Sequence, residues 1–412
     1  MKPNLILSIT SMLLLAVQVK AQEQPNVNVT TNNKTSVNVA TNNNIQVATT
    51  KNGKSTTVVY GSNYNMQDEQ DDTPMKAKTF SKSFAIDKSD KVNLTNQYGS
   101  ITVKTWSKNE IKVDVDMKAY AKTADEAQKL IDDLSIEATK SGDLVTFKTE
   151  RGDRNGNWGS SVRNGKTIWR REIKVHYVVY MPASNSLTAS QQYGNITMDD
   201  FTGPTSLKLQ YGDLIAGNLS NTNNYVSIQY GKGSVKDMGG ATIKHQYGSG
   251  ITIASVGNLD VNAQYTAVKI GSVKGTATIK HQYGNGTTIG SVSGGSINVN
   301  TQYAPIKITN LNSNLTSRAQ YSKVIVDEIE AGKDIDVDAQ YSSVSLGFAS
   351  NYAADLDVRT QYGSFKYGEN VTARKEEDGK NYSSNKNYTG QIGKGGNAKV
   401  MVKVQYDNVT FK

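Results

Sequence analysis

A Gln-Tyr dipeptide recurs through most of this chain. Its tyrosines are Tyr193, Tyr211, Tyr230, Tyr247, Tyr265, Tyr283, Tyr303, Tyr321, Tyr341 and Tyr362, at intervals of 17 to 21 residues, and a Gly or another small residue follows each one. A fixed period of this length in an alternating sequence marks a repeat architecture, in which each unit buries its apolar face only against its neighbours. The repeat settles the fold class before it says anything about chemistry.

One unit shows the rule. In Leu259-Asp260-Val261-Asn262-Ala263-Gln264-Tyr265 the odd positions are apolar and the even ones polar. Period-two alternation of this kind is a strand with one buried face. Carried one residue further, the parity predicts that the tyrosines line an inner ladder and the glutamines an outer one. Stacked glutamines can exchange amide hydrogen bonds between units. After Tyr265 the parity flips to Val268 and Ile270, so a bend lies between, at the small residue. A third apolar position follows at Phe201, Leu219, Met238, Val256, Val273, Val292, Leu311 and Ile329, with turn residues just beyond it. Two short strands, an apolar contact and a turn make one coil. The expected fold is all-β, a parallel β-solenoid of about ten coils of 17–21 residues, with an N-terminal βαββ insertion acting as a cap.

The flanks divide accordingly. Residues 1–21 carry Lys2, a short apolar run and Val19-Lys20-Ala21, the pattern of a secretory signal peptide. Residues 22–75, rich in Asn, Thr and Val, read as a low-complexity flexible linker, with edge strands built on the alternating valines as the alternative. Residues 76–181 hold a first coil around Gln97-Tyr98-Gly99 and the capping insertion. In that insertion Ala124 to Leu134 has helical spacing after Thr123, a candidate N-cap. The array spans 182–367, a polar loop 368–396, and a terminal coil 397–412.

The chain has no cysteine, so packing alone must hold an exported protein of this kind together. Net charge is +9, or +7 once Lys2 and Lys20 are removed with the signal, and much of it lies between Arg151 and Lys174. With no basic stripe evident along the repeats, nucleic acid is not an expected partner. No segment after residue 21 is apolar enough to cross a membrane as a helix.

The Gln-Tyr-Gly-x-Ile/Leu units, the signal peptide, and the insertion ending in Val175-His176-Tyr177-Val178-Val179-Tyr180-Met181-Pro182 resemble the bacterial adhesin family with β-strand repeats, over about Phe80 to Lys412. The resemblance implies an exported, repetitive β-structure with a surface or adhesive role in the periplasm, at the cell surface or outside the cell. The family carries no agreed catalytic residues.

The residues themselves offer little chemistry. His245 and His281 occupy one slot of the repeat, with Ala263 between them, so they sit two strand spacings or about 10 Å apart. That is too far for one metal ion, and core filling is the expected role. Asp336 and Asp338 share an outward face and are the paired carboxylates a polysaccharide-processing β-helix enzyme would need. No nucleotide, zinc, calcium or other cofactor motif appears, and no enzymatic activity is expected. An outer-membrane barrel is a second alternative, which strands of five to seven residues disfavour. The best contact candidates are Arg151, Arg154, Trp158, Arg163, Lys166, Trp169, Arg170 and Arg171. Arginines suit carboxylate or phosphate groups and tryptophan can stack on a sugar; a hairpin tip that is merely basic is the alternative. Anionic surface glycans or envelope proteins are the partners such a segment fits.

Overall fold

Corresponding strands of successive repeats lie side by side in parallel, offset by the length of the repeat. The structure, a computed structural model, describes residues 73–152, 158–163, 166–376 and 384–412, and the backbone of four strands between 27 and 60. Those four, Val27–Thr31, Thr35–Thr41, Ile45–Lys51 and Lys54–Tyr60, pair antiparallel in succession. Within the segment expected as a linker, the alternating-valine alternative thus describes the backbone over these residues. The signal segment lies outside the described residues.

From residue 73 onward the described residues are all-β apart from one helix, Ala124–Asp132. The strand before each tyrosine forms one parallel series. Leu207 pairs with Val226, Val226 with Ile243, Ile243 with Val261, Val261 with Ile279, and Ile279 with Val299. The strand after each tyrosine forms a second series through Val268, Thr287, Ile306, Val324 and Val344. The third apolar position aligns as well. Phe201, Leu219, Met238 and Val256 make one run of partners, and Val273, Val292, Leu311 and Ile329 another, all buried. The three columns enclose a continuous aliphatic core. Each buried aliphatic side chain contributes about 1.5–3 kcal/mol, and it does so only if the next repeat covers it.

Both ends are covered by antiparallel strands, so the sheet is mixed rather than wholly parallel. At the N-terminal end Leu144–Arg151 and Lys166–Met181 run parallel to Lys91–Asn96 and Gly99–Thr105. Leu134–Ser141, Glu110–Tyr120 and Met75–Ala85 then continue antiparallel. The helix begins where expected, with the Glu126 amide donating to Thr123 Oγ1 at 3.2 Å, and buries Ala127, Leu130 and Ile131.

At the other end the sequence reading needs correcting twice. The strand Ala398–Gln405, expected as the terminal coil, lies between Ile335–Gln340 and Ala354–Gln361 and is paired on both sides. The 368–396 segment, expected as a polar loop, contains Val371–Lys375 and Asn385–Ile392, which pair with each other, and the latter lies antiparallel against Ala354–Gln361. A bare edge strand exposes unpaired N–H and C=O groups, and this hairpin covers it. The two outermost strands, Met75–Ala85 and Val371–Lys375, do not pair with each other among the described residues, so the sheet is open rather than a barrel.

The largest departure from expectation concerns the tyrosines, which lie outside. Tyr193 and the ten equivalent tyrosines through Tyr362 and Tyr406 are 38% to 60% exposed, and all eleven take a left-handed backbone conformation with φ between 51° and 61°. The parity argument treats Tyr as the last residue of a regular strand. It is instead the corner, and the left-handed conformation turns its side chain outward. Gly212 and its counterparts are required for a different reason: a Cβ on Gly212 would stand 1.8 Å from the Gly194 carbonyl oxygen of the neighbouring repeat, and one on Gly231 1.9 Å from that of Gly212. Where Ala304, Ser322 and Ser342 replace glycine, the side chain is buried. Ser322 Oγ and Ser342 Oγ then accept the amides of Ala304 and Ser322, at 3.0 and 2.8 Å.

A left-handed non-glycine residue costs about 1–2 kcal/mol, whereas an aromatic stack is worth about 0.5–1.5 kcal/mol per pair. Tyr265→Ala loses both stacks and keeps the strain; Tyr265→Gly loses the stacks and relieves it. Thermal or denaturant unfolding should rank Ala below Gly by about 1 kcal/mol, a gap that vanishes if the corner is not left-handed.

Candidate functional site

The outward tyrosines form one stack. From Tyr98 through Tyr193 and its successors to Tyr341, Tyr406 and Tyr362, neighbouring ring centroids are 4.6–5.4 Å apart and the planes within 2–17° of parallel. Along the stack the ring faces cover one another, so the surface offered to solvent is a row of ring edges and hydroxyls. A sugar laid on an aromatic face, the usual carbohydrate contact, has no free face there.

Beside it runs the glutamine ladder. The Nε2 of Gln192 donates to Gln210 Oε1 at 2.9 Å and Gln210 to Gln229 at 3.1 Å. Gln246 to Gln264, Gln264 to Gln282 and Gln302 to Gln320 repeat the bond at 2.9–3.1 Å. The direction is the same throughout, each amide donating toward the C-terminal end. The row is half-buried and faces outward, as the alternation requires.

The tyrosine stack ends on the basic segment. Arg151 closes the strand Leu144–Arg151, with its guanidinium 5.6 Å from the Tyr98 ring centre and 5.1 Å from that of Trp158; Nη1 lies 3.4 Å from Tyr98 Oη. Arg171 stands 5.0 Å from Trp158 on the returning strand. These three side chains lie together, and Tyr98, which is not among the contact candidates read from the sequence, joins them. Arg170 turns elsewhere: it stacks 3.5 Å over Tyr120 and its Nε donates to Glu172 at 2.8 Å. Trp169 packs near Gly159, whose φ of +134° suits glycine, and Arg163 is exposed on Gly159–Arg163. Arg154 and the side chain of Lys166 lie outside the described residues.

The paired carboxylates are engaged. Arg318 holds Asp336 through two bonds of 3.2 and 2.8 Å, and Lys403 approaches Asp338 at 3.9 Å. Among the described residues no cluster of three or more His, Cys, Asp or Glu side chains could hold a metal ion.

His245 and His281 fill the core slot expected of them. Their Nδ1 atoms meet the hydroxyls of Thr266 and Thr287, at 2.5 and 2.9 Å. Burial pushes both down to about 4; the carbonyls of Gly231 and Thr266 partly oppose this, although neither Nε2 closes a bond of ordinary geometry. Thr266 and Thr287, which the sequence reading leaves as small corner or strand residues, are thus the partners that make the histidines tolerable in the core.

No family model matches this sequence, and no curated protein does. Solved structures do. A candidate adhesin from Parabacteroides distasonis aligns at 13% identity and a TM-score of 0.28, over 64% of this chain and 93% of that one. A candidate cell adhesion protein from Clostridium sporogenes aligns at 11% and 0.17, over 82% and 100%. A candidate lipid binding protein from Parabacteroides distasonis aligns at 11% and 0.22, over 65% and 93%. Superpositions this loose carry no argument about activity, which rests on this chain's own geometry.

The histidines make a pH prediction. Neutral in the fold and with a folded pKa below the unfolded value of about 6.5, each histidine binds a proton more readily in the unfolded chain. Stability is therefore undiminished above about pH 6.5 and falls as pH drops toward 4, by at most about 1.4 kcal/mol per unit per histidine. Leu209 and Ile228 occupy the same slot in neighbouring repeats, so the double variant His245→Leu, His281→Leu should fold. Its unfolding free energy, measured by urea titration from pH 7 to 4.5, should decline less steeply than that of the parent.

Proposed function

We propose that this chain is an exported, non-enzymatic, adhesin-like or scaffold protein of the bacterial cell envelope, whose array is a parallel β-solenoid of about ten coils presenting long, regular faces to surface glycans or proteins. The observation that carries the reading is the register of the Gln-Tyr pair: Gln and Tyr recur side by side from repeat to repeat, and both ends are covered by antiparallel strands. Such a body repeats one set of outward side chains at every strand spacing, about 4.8 Å, and so suits a long or repetitive partner. Enzymatic use of Asp336 and Asp338 draws no support from carboxylates already bound to cations. We assign Arg151, Trp158 and Arg171 as a contact region at the end of the tyrosine stack, where guanidiniums on aromatic rings can still meet carboxylate or phosphate oxygens. Residues 1–21 serve as the export signal in this reading.

The test is a binding screen of the mature chain, from residue 22, against glycans and envelope polymers, with reducing-end release assayed in parallel. Retention without cleavage is expected, weakened by Arg151→Gln with Arg171→Gln for ligands that use the contact region. Release of reducing ends that disappears with Asp336→Asn and Asp338→Asn would replace this reading with the enzyme.

A further inference from the structure

Aligning the strands exposes a row that the linear sequence hides. Two residues before each glutamine, on the same outward face, the partners run Lys208, Ser227, Lys244, Asn262, Lys280, Asn300 and Arg318. Cations thus alternate strictly with small neutral hydrogen-bonding residues. Consecutive cations stand two strand spacings apart, about 9.6 Å. The expectation that no basic row runs along the repeats is therefore revised: the cations are there, on every second repeat.

The row is not neutralised where it begins. Arg318 is bound by Asp336, and farther along Lys403 approaches Asp338 and Arg359 holds Asp357. Lys208, Lys244 and Lys280 are exposed and make no ion pair among the described residues. Asp260 is the one carboxylate among their flanking partners in the next outward row, which reads Ser206, Tyr225, Thr242, Asp260 and Thr278. On the other side lies the glutamine ladder. An amide has two N–H donors, and Gln192, Gln210, Gln246, Gln264 and Gln302 each spend one on the next repeat, leaving the other for a ligand hydroxyl.

We propose that this face binds an extended acidic glycan carrying one carboxylate on every second sugar, laid along the stack. Its carboxylates sit on Lys208, Lys244 and Lys280, and the intervening sugars hydrogen-bond to Ser227, Asn262 and the glutamine amides. A pyranose in an extended chain advances by roughly one strand spacing, so charge on alternate sugars matches charge on alternate repeats. Single-stranded nucleic acid fits less well: it is charged at every residue and needs stacking platforms, and Tyr225 is the only aromatic in these rows. The proposal rests on reading the array as a stacked surface module and specifies what one of its faces recognises.

The experiment is calorimetric titration of the full mature chain with hyaluronan oligosaccharides, which carry one carboxylate per disaccharide, beside neutral dextran and a single-stranded DNA oligomer. Hyaluronan should bind at least about tenfold more tightly than dextran, and more weakly as salt rises. The variant Lys208→Gln, Lys244→Gln, Lys280→Gln should lose that preference while its near-ultraviolet tyrosine spectrum is unchanged. A second variant, Lys244→Asn with Asn262→Lys, keeps the net charge and breaks the alternation, and should lose about as much. Hyaluronan binding that survives in either variant, or displacement of hyaluronan by DNA at equal charge concentration, would overturn the proposal. Envelope-polymer binding that persists in the triple variant would leave the adhesin-like reading standing while removing this face from it; failure of the parent chain to bind any polymer would remove both.

Discussion

Everything in this structure depends on registration between neighbouring repeats, and the Gln-Tyr pair is where registration is fixed twice over. The glutamine amide bonds to the same residue of the next repeat, and the tyrosine ring lies on the next ring. A slip of one residue would break both rows and turn the aliphatic positions to solvent. The tyrosine corner is energetically unusual: a bulky residue with φ near +52° is strained. Glycine would adopt that conformation without strain but would leave nothing to stack. The chain keeps the strained tyrosine at eleven corners, which makes sense only if stacking and register offset the cost collectively.

The same logic explains the ends. A parallel stack cannot close on itself and leaves two edges that would pair with any other strand. Here each edge passes into antiparallel strands, Leu134–Ser141 with Glu110–Tyr120 and Met75–Ala85 at one end, Asn385–Ile392 with Val371–Lys375 at the other. The tyrosine stack begins at a lid of its own, since the Arg151 guanidinium lies against Tyr98 and Trp158. The feature that most resembled a ligand site in the sequence therefore also belongs to the architecture, and the more open candidate is the alternating cationic row on the broad face.

Alternation and period made the strands, the buried aliphatics, the outward glutamines, the third apolar column and the Thr123-capped helix legible in the sequence. The orientation of the tyrosines was not legible, because parity holds only while the backbone stays extended and a single left-handed residue reverses it. Nor was the position of Ala398–Gln405: its pattern marks it as a repeat, but chain order says nothing about which neighbours it joins. Lys208, Lys244 and Lys280 stand 36 residues apart in the sequence, and they became a row only when each strand was set beside its partner.

The registration itself can be tested most directly at that out-of-order strand. The chain contains no cysteine, so an introduced pair reports without background. Gln340 and Gln405 are parallel partners, and Gln405 in turn partners Gln361. Disulfides need Cα atoms about 4.4–6.8 Å apart, a distance that adjacent strands satisfy and strands two spacings apart do not. The variant Gln340→Cys with Gln405→Cys should oxidise to an intramolecular disulfide, whereas Gln340→Cys with Gln361→Cys should stay reduced. Ready cross-linking of the second pair and not the first would contradict the register on which the whole account depends.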